Sequence, residues 1–585
     1  MDMISIRSSL KVVVLVTAFF MTISTSTYVF ADAAPRPNPG GEMFQMLQDK
    51  DKIQLPKEEK APPVIEKDLK KPARVEGASD KKVLVKSFEI RGNTLLEPKV
   101  LKAVTDQAEG KELTIEDLWN VADLITAKYR EAGYLLTNAY VPSQQIIDGV
   151  VTIKIVEGRI SAISVSGNKS YRSSFIERNM ANTLNDPALK EDTLERDLLI
   201  LNDYPSLTVK AALKAGKEPG TTDLIIGVSD KFPLSGSISY DNYGLDTTSK
   251  DRLNVSLNMG NLVTSGDLLM LRGVTGLDRI DITRLSYGRA EYLVPVGGYG
   301  TQIGGYYANS IYIGGQTLSP LNLNGRANVA GLYVTHPLVK KRDETLSVRF
   351  GGEYINATQD LLDAPNSKDN IRKLVLNLPY TMADRFLGRN YVALGYSLGL
   401  GGFLNGTTSD GNIFSTTRPT RANASDTFGK FNVDAMRIQK LPGYNHLIVR
   451  GSAQYTPDNL LIEEQFIIGG QGTVRGYNPA QASGDSGYYF SAELALSPFL
   501  PEKTIFKQKI GDTIKFAFFV DHGGVFNNEP QTGERNSQYL TSIGGGVRLY
   551  AGQFFTFKLD CATPKIHGKF NASNNKTTVE VALSY

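Results

Sequence analysis

The sequence predicts a transmembrane antiparallel β-barrel of about 16 strands over residues 232–585, preceded by two small α+β modules of β-α-α-β-β order. Three observations carry this reading. Residues 232–585 run as short apolar/polar alternations broken by Gly, Asn and Asp, residues 82–231 carry one mixed helix-and-strand pattern twice, and the chain opens on a secretory address. Composition narrows the alternatives. With 64 basic and 61 acidic side chains in 585 residues the formal charge is only +3, which argues against a nucleic-acid binder. One cysteine, Cys561, excludes an intramolecular disulfide framework, and the scattered His336, His446, His522 and His567 form no zinc-ligand pattern.

Arg7 and Lys11 precede an apolar run, Val12–Ile23, and Ala31-Asp32-Ala33 supplies the small residues a signal peptidase reads, so residues 1–33 read as a cleaved signal peptide. The run is too short to cross roughly 30 Å of hydrocarbon. No cysteine near the cleavage point allows lipoprotein processing. No later run of 18 apolar residues exists, and mean hydropathy is −0.20, so insertion into a membrane requires a closed barrel. Residues 34–53 hold a possible short helix, Gly41–Lys52, with Met43, Met46, Leu47 and Lys50 on one stripe. Residues 54–81, with Pro56, Pro62, Pro63 and Pro72 among Lys and Glu, read as an extended linker; a functional tethered helix and a leader without structure both fit this tract.

The first module, residues 82–158, begins with an alternating strand ending in Ser87–Asn93, followed by a helix near Glu97–Asp106. A second helix is opened by the capping signal Thr114-x-x-Asp117 and places Leu118, Val121, Ala122, Ile125 and Tyr129 on one face. Strands over Leu135–Val141 and Gly149–Val156 complete it. The second module, residues 159–231, repeats the order: Ala162–Asn168 mirrors Ser87–Asn93, again ending in Gly-Asn. Helices near Ser174–Leu184 and Glu191–Tyr204 and strands Leu207–Ala215 and Thr222–Ser229 follow.

In the barrel region Leu253, Val255, Leu257 and Met259 alternate with Arg252, Asn254, Ser256 and Asn258, and the chain closes on Val579, Val581, Leu583 and Tyr585 against Glu580 and Ser584. A soluble sandwich shares the dyad, but a signal, two preceding modules and a terminal apolar-face aromatic favour the membrane barrel. Gly469–Tyr477 is too glycine-dense for a strand and carries one cation, Arg475; it fails as a dinucleotide loop, because Arg475 stands where the third glycine belongs. Downstream, Ile514, Phe516, Phe518 and Val520 take the lipid-facing parity, which sends Lys515, Phe519 and Asp521 into the lumen. A loop folded into the barrel could bring Arg475 to Asp521 as a fork-to-carboxylate bond, although on the residues alone two independent solvated lumen charges are the preferred reading.

At these residues the chain resembles the two-partner secretion transporters of the haemolysin-activator type: Val474-Arg475-Gly476-Tyr477 matches their VRGY motif and Phe519-Val520-Asp521-His522-Gly523 their FxDxG motif. The resemblance implies two polypeptide-transport-associated (POTRA) modules in the periplasm, an outer-membrane pore, and export of one large exoprotein carrying an N-terminal secretion domain, without ATP or any cofactor. It implies that the helix near residues 41–52 plugs the pore and that Val474, Arg475, Gly476, Tyr477, Phe519, Asp521 and Gly523 form a pore and gating motif. Outer-membrane lipid or lipopolysaccharide is the expected surrounding, no nucleic acid is expected, and a closed barrel needs no second copy. No catalytic or metal-ligating residue is expected, since no GxSxG or poised triad occurs. A barrel-assembly factor of the same superfamily is the alternative, though such proteins usually carry more than two modules. A passive porin has no use for the modules. His522 reads as incidental, Gly523 and Gly524 as a turn or bulge where the strand exits, Trp119 as a packing residue and Cys561 as inert.

Overall fold

The computed structural model describes residues 39–49, 65–68, 82–218, 220–277, 284–408, 418–505, 508–566, 569–570 and 574–585. The expected signal peptide, residues 1–33, lies outside them, as does most of the 54–81 linker. Helix α1 spans Pro39–Asp49, a little earlier than Gly41–Lys52, because Pro39 can occupy a first helical turn where its missing N–H is not needed. Within the linker, strand β1 (Ile65–Asp68) forms, which the sequence did not suggest.

In the first module the expected opening strand is divided. β2 (Val83–Val85) pairs with β4 (Lys111–Leu113), while β3 (Ser87–Arg91) pairs in parallel with β6 (Val150–Val156). The break falls at Lys86, whose N–H turns to the Gly149 carbonyl at 2.8 Å. Helix α2 (Pro98–Thr105) precedes α3 (Ile115–Glu131), which opens on a full capping box between Thr114 and Asp117. Its buried face is Leu118, Val121, Ala122, Ile125 and Tyr129, with Thr126 added. The Thr126 hydroxyl donates to the Ala122 carbonyl at 3.0 Å and accepts the Ala139 N–H at 2.9 Å, fastening the edge strand β5 (Asn138–Tyr140) to the helix. β5 is shorter than the expected Leu135–Val141, because Leu135 gives its N–H to Leu189 of the second module and sits in that module's core.

The second module holds β7 (Arg159–Ser166), α4 (Ser173–Asn179), α5 (Ala181–Asn185), α6 (Glu191–Asp203), β8 (Leu207–Ala215) and β9 (Thr221–Asp230). Its sheet runs β1-β8-β9-β7. The repeated Gly-Asn does one job twice. Gly92 and Gly167 exit their strands at φ 88° and 87°, and a Cβ there would meet the Ile155 carbonyl at 2.3 Å or that of Val228 at 2.5 Å. Asn93 and Asn168 then each donate three residues ahead, to Leu96 and Tyr171, at 2.9 and 2.8 Å. Turns of the barrel meet this module where Ser265 accepts the Arg172 N–H at 3.1 Å and Lys340 pairs with Asp203 at 2.6 Å.

From Leu234 to Ser584 sixteen antiparallel strands close a barrel, the first (Leu234–Asp241) pairing with the last (Lys576–Ser584). The dyad sorts as the sequence indicates: Leu332, Phe350, Phe516, Phe518, Val520 and Leu583 are exposed on the outside, whereas Arg289, Lys430, Lys515, Asp521 and Arg548 are buried inside. Helix α1 lies in the lumen. Met43 and Phe44 pack with Leu285, Tyr306, Tyr312, Tyr333 and Leu461, and Glu42 and Gln45 are buried as well. A helix of 11 residues containing Gly40 and Gly41 is marginal alone, so its order comes from this enclosure.

Candidate functional site

The chain between the strands His446–Tyr455 and Ser486–Leu496 does not stay outside the barrel; it returns as a hairpin in which Phe466–Ile468 pairs antiparallel with Ala482–Gly484. Glu464 fixes the base of the hairpin, bonding Lys373 and Lys430 at 2.7 Å each. The glycine-rich tip lies against the strands that follow the hairpin in the barrel order. Val474 is fully buried with Phe466, Ile468, Tyr489, Val525 and Leu540, and the Tyr477 hydroxyl lies 3.0 and 2.9 Å from the carbonyl oxygens of Thr541 and Lys565, which share its one proton. Gly476 is needed between them: it has φ 87° and a Cβ would lie 3.2 Å from both Cβ and O of Ala562.

Arg475 and Asp521 meet at this tip. Nε of Arg475 donates to one Asp521 oxygen at 2.7 Å, Nη2 to the other at 2.9 Å, and the Arg475 backbone N–H adds a third bond at 3.1 Å. Nη1 donates to Glu493 at 2.6 Å, Nη2 also reaches the Ser491 hydroxyl at 3.2 Å, and the guanidinium lies 3.4 Å over the Phe519 ring. Arg475 is 3% exposed and Asp521 0%, so neither charge is shared with bulk water. Removal of one partner from such a dry pair costs about 3–5 kcal/mol, because the other is left buried and uncompensated.

The pair is one end of a longer chain of charges. Arg548 bonds Glu493 at 3.2 Å and Asp560 at 2.7 Å, and Gln471 of the tip donates to the other Asp560 oxygen at 2.6 Å. Thr578 on the last strand closes the run by donating to Gln471 at 3.0 Å. The tip is thereby held to five strands, including the one that seals the barrel. Sequence reasoning missed Ser491, Glu493 and Arg548. The signal was available, since Tyr489, Ser491 and Glu493 share the inward parity of their strand, and a charge on that parity needs an opposite charge.

Helix α1 engages the same hairpin. Gln45 donates to the Gly469 carbonyl and accepts the Ala480 N–H, both at 2.9 Å, and so clasps the two limbs of the tip. One helical turn earlier Glu42 accepts the Leu245 N–H at 3.1 Å and the Thr248 hydroxyl at 2.6 Å. Met43 falls on the expected apolar stripe, while the polar contacts at Glu42 and Gln45 were not foreseen; the side chains of Met46 and Leu47 lie outside the described residues, as does Lys50. A cavity of about 220 Å³ remains between Glu42, Gln45, Arg252 and Pro479.

Gly523 corrects an expectation. It is not at a turn or bulge: the strand Ile514–Phe526 runs through it in unbroken register with both neighbours. A Cβ there would stand 3.0 Å from the Tyr488 carbonyl and 3.3 Å from Val474 Cγ2, so the glycine makes room for the tip. His522 faces the opposite side of its strand from Asp521 and bonds Tyr488 and Thr541 at 3.1 and 2.8 Å. Trp119 is partly buried on α3, and Cys561 is exposed.

Comparison with known proteins agrees with this architecture. Residues 220–549 match the family model described as haemolysin secretion/activation protein ShlB/FhaC/HecB, and residues 83–158 match the POTRA domain of ShlB type. The heme/hemopexin transporter protein HuxB of Haemophilus influenzae is 27% identical over 481 residues, covering 80% of each chain. Among solved structures, CdiB from Escherichia coli aligns with a TM-score of 0.67 at 18% identity over 88% of this chain and 93% of its own. CdiB from Acinetobacter baumannii aligns at 0.63 and 19% over 93% and 96%. With more than half of its length matched by the family model, a ShlB-type POTRA module in front and a closed barrel behind, the chain belongs to the haemolysin secretion/activation family of ShlB, FhaC and HecB.

Proposed function

We propose that the chain is an outer-membrane transporter that captures one large secreted exoprotein on periplasmic POTRA modules at residues 82–158 and 159–231 and passes it through the barrel of residues 232–585. The observation that carries this reading is the combination of family membership with a lumen occupied by two elements that are not barrel strands, helix α1 and the hairpin bearing Arg475. A pore for small solutes needs neither. Lipid contact on the apolar exterior and a monomeric state are part of this reading, and the closed sheet supports it by leaving no barrel edge to pair with another chain.

In the resting state α1 fills the channel and Gln45 couples it to the hairpin. A client bound at the modules lies beside the mouth from which α1 must depart, so its entry and the departure of the helix are two halves of one exchange. Arg475 acts as a positioning residue. Its fork on Asp521, with Glu493 behind it, holds the hairpin against one wall so that the rest of the lumen is left for a chain in extended form. Transport then needs no nucleotide and no catalytic group in this chain.

The test is a comparison of secreted and surface proteins in cells with and without the chain, alongside outer-membrane protein levels. Loss of one large exoprotein with other barrels unchanged is expected. A general fall in outer-membrane barrels would refute the export reading in favour of an assembly factor.

A further inference from the structure

A side-chain amide on the outer face of a membrane barrel is costly in hydrocarbon unless something there accepts its hydrogens. Four asparagines stand in one row on that face. On the adjacent strands Thr301–Ile313, Asn324–Lys340, Glu344–Leu361 and Ala364–Ala383, residues Asn309, Asn328, Asn356 and Asn370 are registered on one another in turn. Their neighbours of the other parity, Ala308, Ala327, Ile355 and Ile371, pack with α1 in the lumen, so the asparagines point outward. The next row towards the extracellular turns holds Arg326, Thr358 and Lys368, again in register, and the next row towards the periplasm holds Tyr307, Tyr354 and Arg372. Below those the face turns apolar, with Leu332 and Phe350 exposed.

The height of this patch follows from the strands. Counting from Lys340 to Asn328 and from Glu344 to Asn356 gives 12 residues each from the periplasmic strand ends. At about 2.5 Å of height per residue in a strand tilted about 40°, that is roughly 30 Å, beyond an apolar band about 25 Å tall. Asn328, Asn356 and the cations above them therefore face the headgroups of the outer leaflet. On the strand Ser537–Ala551, by contrast, Tyr539 stands 12 residues from the periplasmic end and turns an exposed aromatic ring outward, so the polarity belongs to one sector of the barrel.

We propose that this sector is a binding site for the phosphorylated saccharide head of lipopolysaccharide. Arg326 and Lys368 are exposed, and their side chains form no ion pair or hydrogen bond among the described residues. Asn328 Oδ1 accepts from Asn309 Nδ2 and from the Tyr307 hydroxyl, each at 2.8 Å, and Asn356 Oδ1 accepts from Arg372 Nη2 at 2.9 Å. With those oxygens engaged, Nδ2 of Asn328 and of Asn356 are left as donors with no acceptor among the described residues. Cations suit phosphate, and amide donors beside them suit sugar oxygens. Asp360, the carboxylate of the same parity, is one row further out, registered on Asn324, which leaves the row of Arg326 and Lys368 cationic. The site requires an outer-membrane barrel and is independent of the export reading.

The test uses the full-length chain in detergent, with native mass spectrometry measuring binding of bis-phosphorylated lipid A and of phosphatidylglycerol. The wild type should bind lipid A at least tenfold more tightly; equal affinity for the two would overturn the proposal in favour of general contact with anionic lipid. Arg326→Glu/Lys368→Glu should weaken lipid A binding at least tenfold. Asn309→Leu/Asn328→Leu, which removes both members of one hydrogen bond and suits a lipid-facing strand, should weaken it at least threefold, and decides the matter if the charge-reversed barrel does not assemble. Arg385→Glu/Lys503→Glu, at exposed positions of the periplasmic turns, should leave it unchanged. Retention of the unheated barrel form in SDS shows which variants are folded. Wild-type affinity in the folded site variants, or an equal loss in the periplasmic pair, would overturn the site.

Discussion

Replacing Gln45 by leucine removes one amide from α1 while keeping its bulk. In the native structure that amide satisfies two buried backbone groups of the hairpin, the Gly469 carbonyl and the Ala480 N–H, each at 2.9 Å. Leaving a buried group without its partner costs about 1–3 kcal/mol, so the variant weakens docking of the helix by about 2–6 kcal/mol. Even the lower figure lowers the docking constant by about 30-fold. Purified protein in planar bilayers reads this directly as the fraction of time the channel conducts, which should rise at least tenfold in Gln45→Leu. Gln45→Glu is the informative companion. It keeps an acceptor for the Ala480 N–H but faces the Gly469 carbonyl with an oxygen, and should open the channel as well. Conductance identical to wild type in both variants would refute the inference that Gln45 holds the helix in the lumen.

Three further outcomes follow from the same geometry. Arg475→Lys keeps the charge but cannot span Asp521 and Glu493 while lying over Phe519, so export should fall and the Gly469–Tyr477 tip should become protease-sensitive, with the barrel still folded; wild-type export and protection would count against the fork. Gly523→Val, a favourable residue for a strand, should nonetheless release the tip by crowding Val474, measured by the same proteolysis; a protected tip would show that the wall adapts. In the first module Thr114→Ala should cost α3 about 1 kcal/mol and speed exchange of its first-turn amides about fivefold. The bonds from the Thr114 N–H and hydroxyl hold the Asp117 carboxyl below its ordinary value, so the cap is intact at neutral pH and is lost as pH falls through that lowered value; first-turn exchange that does not change on acidification would refute this.

The barrel and both modules were legible in the sequence because each rests on a short-range period. Alternation alone sent Lys515, Phe519 and Asp521 inward, and the Thr114–Asp117 spacing alone placed the start of α3 within a residue. What escaped depends on contacts between distant segments. Glu493 and Arg548 are ordinary inward charges until the hairpin tip is laid across them. Gln45 looks like a solvated helix residue, yet it is more than 400 positions from the backbone it clasps. The four residues of β1 have poor strand character, and only the unpaired edge of β8 makes them a strand. Gly523 was assigned to a turn because glycine in a strand usually marks one, whereas here the empty space of its missing side chain is filled by Val474.

The enclosure of α1 has a thermodynamic consequence. Eleven residues with two glycines at the start form a helix only where the barrel surrounds them, so a helix that leaves the lumen melts. Each residue that regains its freedom returns about 1–2 kcal/mol of conformational entropy, which offsets part of the cost of exposing Met43 and Phe44 to water. In the exchange proposed above, the departing segment would be a thin coil able to thread past an incoming polypeptide where a rigid cylinder about 10 Å across would jam. Re-entry in that exchange would run the other way, since the coil regains its helix only where the emptied barrel again surrounds it.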